Sequence, residues 1–214
     1  MKTREIKEIK EIAHTVYLLS FERDFDFLPG QVIGISMNEH SPPRLYSIAS
    51  SNKSGEVDIL FDEKAEGLLT PWLSRRVKGD LIYTTPVSGN FFCEKEEKAF
   101  WIASGTGIAP FASMFFSGYA KNKILIHGGR HLESFYFQED FLGQLGKDYV
   151  RCCSQDTAPG IYPGRLTAYL REMKGFDKDY KYYLCGSAEM VVETRDLLLE
   201  GGVEYDDIVA EIYF

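Results

Sequence analysis

The chain has 214 residues, 44% of them apolar and 26% charged, with a net charge of −8 at pH 7. That length supports one large domain or two small ones, each able to bury a core. The acidic balance excludes non-specific nucleic-acid binding, which needs a basic face to neutralise phosphates. Cys93, Cys152, Cys153 and Cys185 form no C-x-x-C pair and match neither zinc nor iron–sulfur spacing. Residues 1–5 are not the start of a signal peptide, and no apolar run reaches membrane-spanning length. A reduced, cytoplasmic protein without a metal is expected.

The first half reads as short strands separated by turns. Ile6, Ile9 and Ile12 stand three apart, a helical period, but the charged residues between them weaken that reading. Residues 15–21 are β-branched and aromatic and predict a strand. Pro29-Gly30 marks a turn, residues 31–36 a strand, and Ser41-Pro42-Pro43 a break. Alternating residues 44–50 follow, then a hairpin turn at Ser54-Gly55-Glu56, and strands at 57–61 and 81–84. Residues 67–74 suggest a short helix. Closely spaced strands with turn signals predict an antiparallel β-barrel. In an alternating strand Arg44 and Tyr46 share a face. An arginine fork suits a pyrophosphate, a tyrosine ring a flat ring system, and the Ser47 hydroxyl a ring nitrogen. The same residues also suit a plain edge strand.

Composition turns charged around residues 93–98, which sets the expected boundary between a domain at 1–95 and another at 96–214. Beyond it strands alternate with helices, the mark of a parallel α/β sheet. Strands are predicted at 99–103, 123–128, 149–153, 180–185 and 208–212, and helices at 110–119, 136–145, 164–172 and 188–199. The first strand runs into Ser104-Gly105-Thr106-Gly107-Ile108-Ala109-Pro110. The glycines let a ligand approach the backbone, Pro110 suits a first helical turn, and a helix start favours a pyrophosphate. The spacing G-x-G-x-x-P equally fits a tight turn that binds nothing. Ligands in such sheets bind at the carboxyl ends of strands. There lie the glycine turn, Gly128-Gly129-Arg130, Ser154-Gln155-Asp156-Thr157 and Cys185-Gly186-Ser187-Ala188-Glu189-Met190. Cys185 is either a functional group beside Gly186 or a small buried filler.

Together these segments resemble the ferredoxin–NADP reductase superfamily of flavoproteins, of plant and bacterial type. Arg44-Leu45-Tyr46-Ser47 resembles its R-x-Y-S flavin signature. Pro29-Gly30-Gln31 resembles the preceding turn, and Gly67-Leu68-Leu69-Thr70 its G-x-x-[ST] segment. Residues 86–91 resemble the barrel-closing turn, with Thr85 where glycine is common, and Tyr183-Leu184-Cys185-Gly186-Ser187 its second nicotinamide motif. Glu211 and Tyr213 match the family's C-terminal glutamate and flavin-stacking tyrosine, and the extra Phe214 suggests the bacterial branch.

The resemblance implies a β-barrel FAD-binding domain followed by a Rossmann-like domain with a five-stranded parallel sheet that binds NADP(H) or NAD(H). FAD falls to Arg44, Leu45, Tyr46, Ser47, Gly67, Leu68, Leu69, Thr70 and Phe214. The dinucleotide falls to Gly105, Thr106, Gly107, Pro110, Arg130, Ser154, Arg165, Gly186 and Met190. Tyr162 is placed to stack on adenine. Gln155 replaces an expected phosphate-binding arginine, and Asp156 adds repulsion to a 2′-phosphate. Ser47, Cys185, Glu211 and Tyr213 are the implied catalytic set. Hydride passes from nicotinamide to flavin, and electrons then leave singly to a ferredoxin or flavodoxin. A reductase of free flavin or quinone, or a non-catalytic electron-transfer subunit, is the alternative. No fused ferredoxin or haem domain is expected, nor any nucleic-acid or membrane partner, in a monomer or weak dimer. Lys2, Arg4, Lys7 and Lys10, or residues 75–78, could form a basic docking patch, or merely a solvated face.

Overall fold

The isoleucines of the N-terminal segment explain its shape. In this computed structural model, which describes residues 1–213, the segment is a strand, β1 (Lys2–Ala13). It pairs antiparallel with β2 (Val16–Glu22), Ile6 opposite Phe21 and Ile9 opposite Leu19. Three residues on β1 thus span two on β2, and a bulge absorbs the extra one. The helical spacing is the imprint of bulges, which keep Ile6 buried and Ile9 packed against the core.

β3 (Val32–Ser36), β4 (Arg44–Ser47), β5 (Glu56–Asp62) and β6 (Leu81–Ser88) complete a six-stranded sheet of order β4-β3-β6-β1-β2-β5. Its ends approach each other through the Ile48–Ile59 bridge and an Ala49 N–H donated to the Asp58 carbonyl at 2.8 Å, curling the sheet towards a barrel. Phe21, Ile33, Ile35, Ile48, Ile59 and Ile82 fill its core. The expected short helix is α1 (Leu69–Leu73).

The second sheet is parallel. β7 (Ala99–Ser104), β8 (Lys123–Gly129), β9 (Tyr149–Cys153), β10 (Tyr162–Pro163), β11 (Lys181–Ser187) and β12 (Ile208–Tyr213) run in the order β10-β9-β8-β7-β11-β12. The expected five strands gain a sixth, β10, whose two residues are too few to leave a pattern in the sequence. Helices α2 (Ala109–Phe116), α3 (Gln138–Leu145), α4 (Leu166–Glu172) and α5 (Ala188–Glu200) complete the set.

Backbone contacts divide the chain into two units: Met1–Phe92 with Ala109–Ser117, and Cys93–Ile108 with the chain from Gly118 onward. Where the sequence suggests one cut near residue 95, α2 therefore groups with the barrel. Phe111 packs edge-on against Phe91 at 5.6 Å. The Ser113 hydroxyl donates to the Ser50 carbonyl at 2.7 Å, and the Ser117 hydroxyl accepts from Asn52 N–H at 3.0 Å. All but the last residue of α2 are buried, which suits its apolar sequence.

Candidate active site

In the first unit, β4 alternates as its sequence requires. Tyr46 packs edge-on against Phe61 at 6.4 Å, and its burial pushes the phenol up to about 12. Arg44 is exposed and Ser47 buried. Leu45 is 64% and Leu68 83% exposed, leaving bare aliphatic surface at two of the expected flavin positions. Thr70 lies in α1, where its hydroxyl accepts the Lys64 N–H at 2.8 Å and keeps its own proton free to donate. Among these residues the exposed guanidinium, the half-buried ring and the uncovered leucines fit a flat cofactor with a phosphate tail.

In the second unit the chain winds from β7 outward to β8, β9 and β10, then returns to β11 and β12 on the other side. The switch point lies between the ends of β7 and β11, where open α/β sheets bind ligands. The turn at Gly105–Ile108 meets the Cys185–Ser187 segment there. A Cβ on Gly107 would lie 2.4 Å from the Cys185 carbonyl oxygen, and one on Gly186 2.3 Å from Ser104 Oγ. Ser104 Oγ also accepts the Ser187 N–H at 3.3 Å. These two glycines let two strand ends interlock. Gly105 differs: its φ is +55° and a Cβ there would meet nothing within 4 Å, so its outer side is open to a ligand.

Cys185 is wholly buried. Burial first, and the Glu211 carboxylate second, push its thiol far above its ordinary range, while a hydrogen bond with Tyr213 opposes them. The parallel register sets Cys185 beside Glu211 and Ser187 beside Tyr213. The structure thus brings Cys185, Glu211 and Tyr213 together on one sheet face, at the end of the same strands as Gly186. Met190 is buried in the first turn of α5, its N–H donated to the Ser187 hydroxyl at 3.4 Å. Phe214 lies outside the described residues.

The other expected dinucleotide residues stand on neighbouring strand ends. Thr106 is half-buried in the glycine turn, and Pro110 is buried in the first turn of α2. Ser154 N–H donates to the Gly129 carbonyl at 3.1 Å, and Gln155 N–H to that of Arg130 at 2.9 Å. Asp156 accepts the Leu132 N–H at 3.0 Å and faces His131 Nδ1 at 3.3 Å, so it ties two loops together. Arg165 pairs with Glu189 at 2.7 Å, whereas Arg130 is exposed at the end of β8. Tyr162 stands edge-on to Tyr169, its hydroxyl donating to Glu172 at 2.6 Å. His127, which composition and motif pass over, is wholly buried at the end of β8; an imidazole inside the apolar run Ile124-Leu125-Ile126 is the signal for it.

The chain thus holds a barrel-like antiparallel unit and a parallel α/β unit with an open switch point, where sheets of this kind bind ligands. The profile of the oxidoreductase NAD-binding domain family matches residues 101–196. The chain is 25% identical to the toluate 1,2-dioxygenase electron transfer component of Pseudomonas putida, over 93% of this chain and 63% of that one. It is 27% identical to a probable dihydroorotate dehydrogenase B (NAD(+)) electron transfer subunit of Pyrococcus abyssi, over 97% and 77%. A ferredoxin NADP+ reductase from Neisseria gonorrhoeae shares the fold with a TM-score of 0.88 and 21% identity, over 100% of this chain and 98% of that one. Residues 101–196 thus match the oxidoreductase NAD-binding domain family, and the chain as a whole is similar to these electron transfer components and shares the fold of the ferredoxin NADP+ reductase.

Proposed function

We propose that this chain is an FAD-dependent oxidoreductase that moves hydride between NAD(P)H and flavin and passes electrons singly to a ferredoxin or flavodoxin. The clustering of Cys185, Glu211 and Tyr213 beside the Ser104–Gly107 turn carries this reading. The flavin, when bound, supplies the change from two-electron to one-electron transfer.

Arg44 would hold the FAD pyrophosphate and Tyr46 the flat ring, while Thr70 has a hydroxyl proton left to donate. Leu45 and Leu68 would lose their exposure to water. Gly105 would admit the dinucleotide pyrophosphate, with Thr106 and Pro110 alongside. Cys185 stays a thiol at neutral pH, so its role is to fill and orient at the nicotinamide rather than to attack. Glu211 would hold that geometry or move a proton. Arg165 is engaged by Glu189, which leaves Arg130 as the cation for a 2′-phosphate if NADPH is the donor. A docking patch for an acidic acceptor falls to Arg75 and Lys78, which are exposed. Lys2 and Arg4 pair with Asp24, and Arg76 faces Asp80 at 3.6 Å.

The Pyrococcus relative is named an electron transfer subunit, and this favours a second reading in which the chain feeds a partner enzyme. Purified protein assayed with NADH or NADPH separates the two. Reduction of ferredoxin or flavodoxin at catalytic rates supports the first. Reduction of ferricyanide alone supports the second. Protein that retains no FAD overturns both.

A further inference from the structure

The loops that leave the carboxyl ends of β8 and β9 are stitched together. Ser154 N–H donates to the Gly129 carbonyl at 3.1 Å and Gln155 N–H to that of Arg130 at 2.9 Å, and the Cys153 thiol donates to the same Arg130 carbonyl at 3.2 Å. This carries the Asp156 carboxylate onto the first loop. There Oδ2 accepts the Leu132 N–H at 3.0 Å, and the two oxygens face His131 Nδ1 at 3.4 and 3.3 Å. A backbone N–H beside an imidazole is what a phosphate would need on this loop, and the chain's own carboxylate takes both. Arg165, at the start of α4, is likewise held by Glu189 at 2.7 Å. Arg130 is exposed, and so is Glu133 on the same loop.

We infer that the coenzyme is NADH rather than NADPH, and that the chain's own carboxylates, Asp156 first and Glu189 second, turn a 2′-phosphate away. This rests on the proposed nucleotide site. With the nicotinamide at Cys185 on β11 and the pyrophosphate at Gly105 after β7, the adenosine lies across the ends of β8 and β9. Neighbouring strands are about 4.8 Å apart, so those ends stand roughly 5 and 10 Å from the pyrophosphate, within reach of the adenosine ribose. In such sheets a carboxylate suits a free ribose 2′-hydroxyl and an arginine a 2′-phosphate. Asp156 is fixed there by two partners and cannot swing clear of a second negative group. Glu189 meanwhile occupies the arginine that could compensate.

The test compares the wild type with D156N and E189Q, each in its FAD-loaded form. Calorimetric titration uses ADP-ribose and 2′-phospho-ADP-ribose, which differ only in the phosphate. The wild type should bind ADP-ribose at least about tenfold more tightly, and kcat/KM for ferricyanide reduction should favour NADH over NADPH to a similar degree. In D156N, whose amide oxygen can still accept the Leu132 N–H, that preference should shrink about tenfold. E189Q, which releases Arg165, should shrink it about threefold. An Asp156 that merely ties two loops would, once replaced, weaken both ligands equally and lower Tm with the ratio unmoved. That result overturns the inference, as does a wild type that binds the 2′-phosphorylated ligand as tightly as the plain one. Should D156N fail to fold, an unmoved ratio in E189Q overturns it. A wild type that keeps its fold and FAD but binds neither ligand removes the nucleotide site itself, a distinct result.

Discussion

Two buried side chains link stability to pH with opposite sign. His127 is neutral in the fold because burial lowers it from 6.5 to about 3. The unfolded chain takes up a proton below 6.5, so this contribution is complete above that pH and falls away as pH drops towards 3. The slope is at most about 1.4 kcal/mol per pH unit. Urea midpoints measured from pH 7 to 4 should fall less steeply in H127Q than in the wild type; parallel curves would contradict the burial. Cys185 behaves in reverse. Its raised thiol favours the fold below 9.0, the ordinary value, and that contribution is lost as pH rises beyond it. C185A should keep its flavin but transfer hydride roughly 10- to 100-fold more slowly, read by single-turnover absorbance. An unchanged rate would make Cys185 a core filler. Arg44, Tyr46, Ser47 and Cys185 are proposed from the sequence because each matches a chemical need by type and order. The burial of His127 is not legible, because it comes from neighbours that only the sheet register supplies.

Elements differ, for physical reasons, in how far their sequence specifies them. The alternating strands and apolar helices of the α/β unit follow from periodicity, and their bounds agree within a few residues. β1 misleads because bulges convert a period of two into apparent threes. The glycine turn was legible as a motif, but Gly107 and Gly186 serve backbone contact between β7 and β11. A methyl group at Gly107 must displace the Cys185 carbonyl. G107A should therefore cost several kcal/mol, or fail to fold, whereas G105A should cost only about 1 kcal/mol, through the backbone strain it introduces. Chemical denaturation of the two variants tests this, and equal losses would show that the strand ends do not interlock.

At the scale of the molecule, motif order points to the superfamily, while the strand order that creates the switch point between β7 and β11 is absent from the sequence. Strand order depends on which edges pair, and no local pattern encodes that. The grouping of α2 with the barrel was likewise hidden, since an all-round apolar helix does not say where it packs. The proposed reaction turns on hydride transfer from a nicotinamide to a bound flavin. Anaerobic stopped-flow mixing of the flavin-loaded protein with NADH and, separately, NADPH tests it most directly. Rapid loss of the flavin's visible absorbance with at least one coenzyme is the predicted result, and the ratio of rates assigns the preference. A flavin-loaded protein whose spectrum neither coenzyme changes would contradict the account.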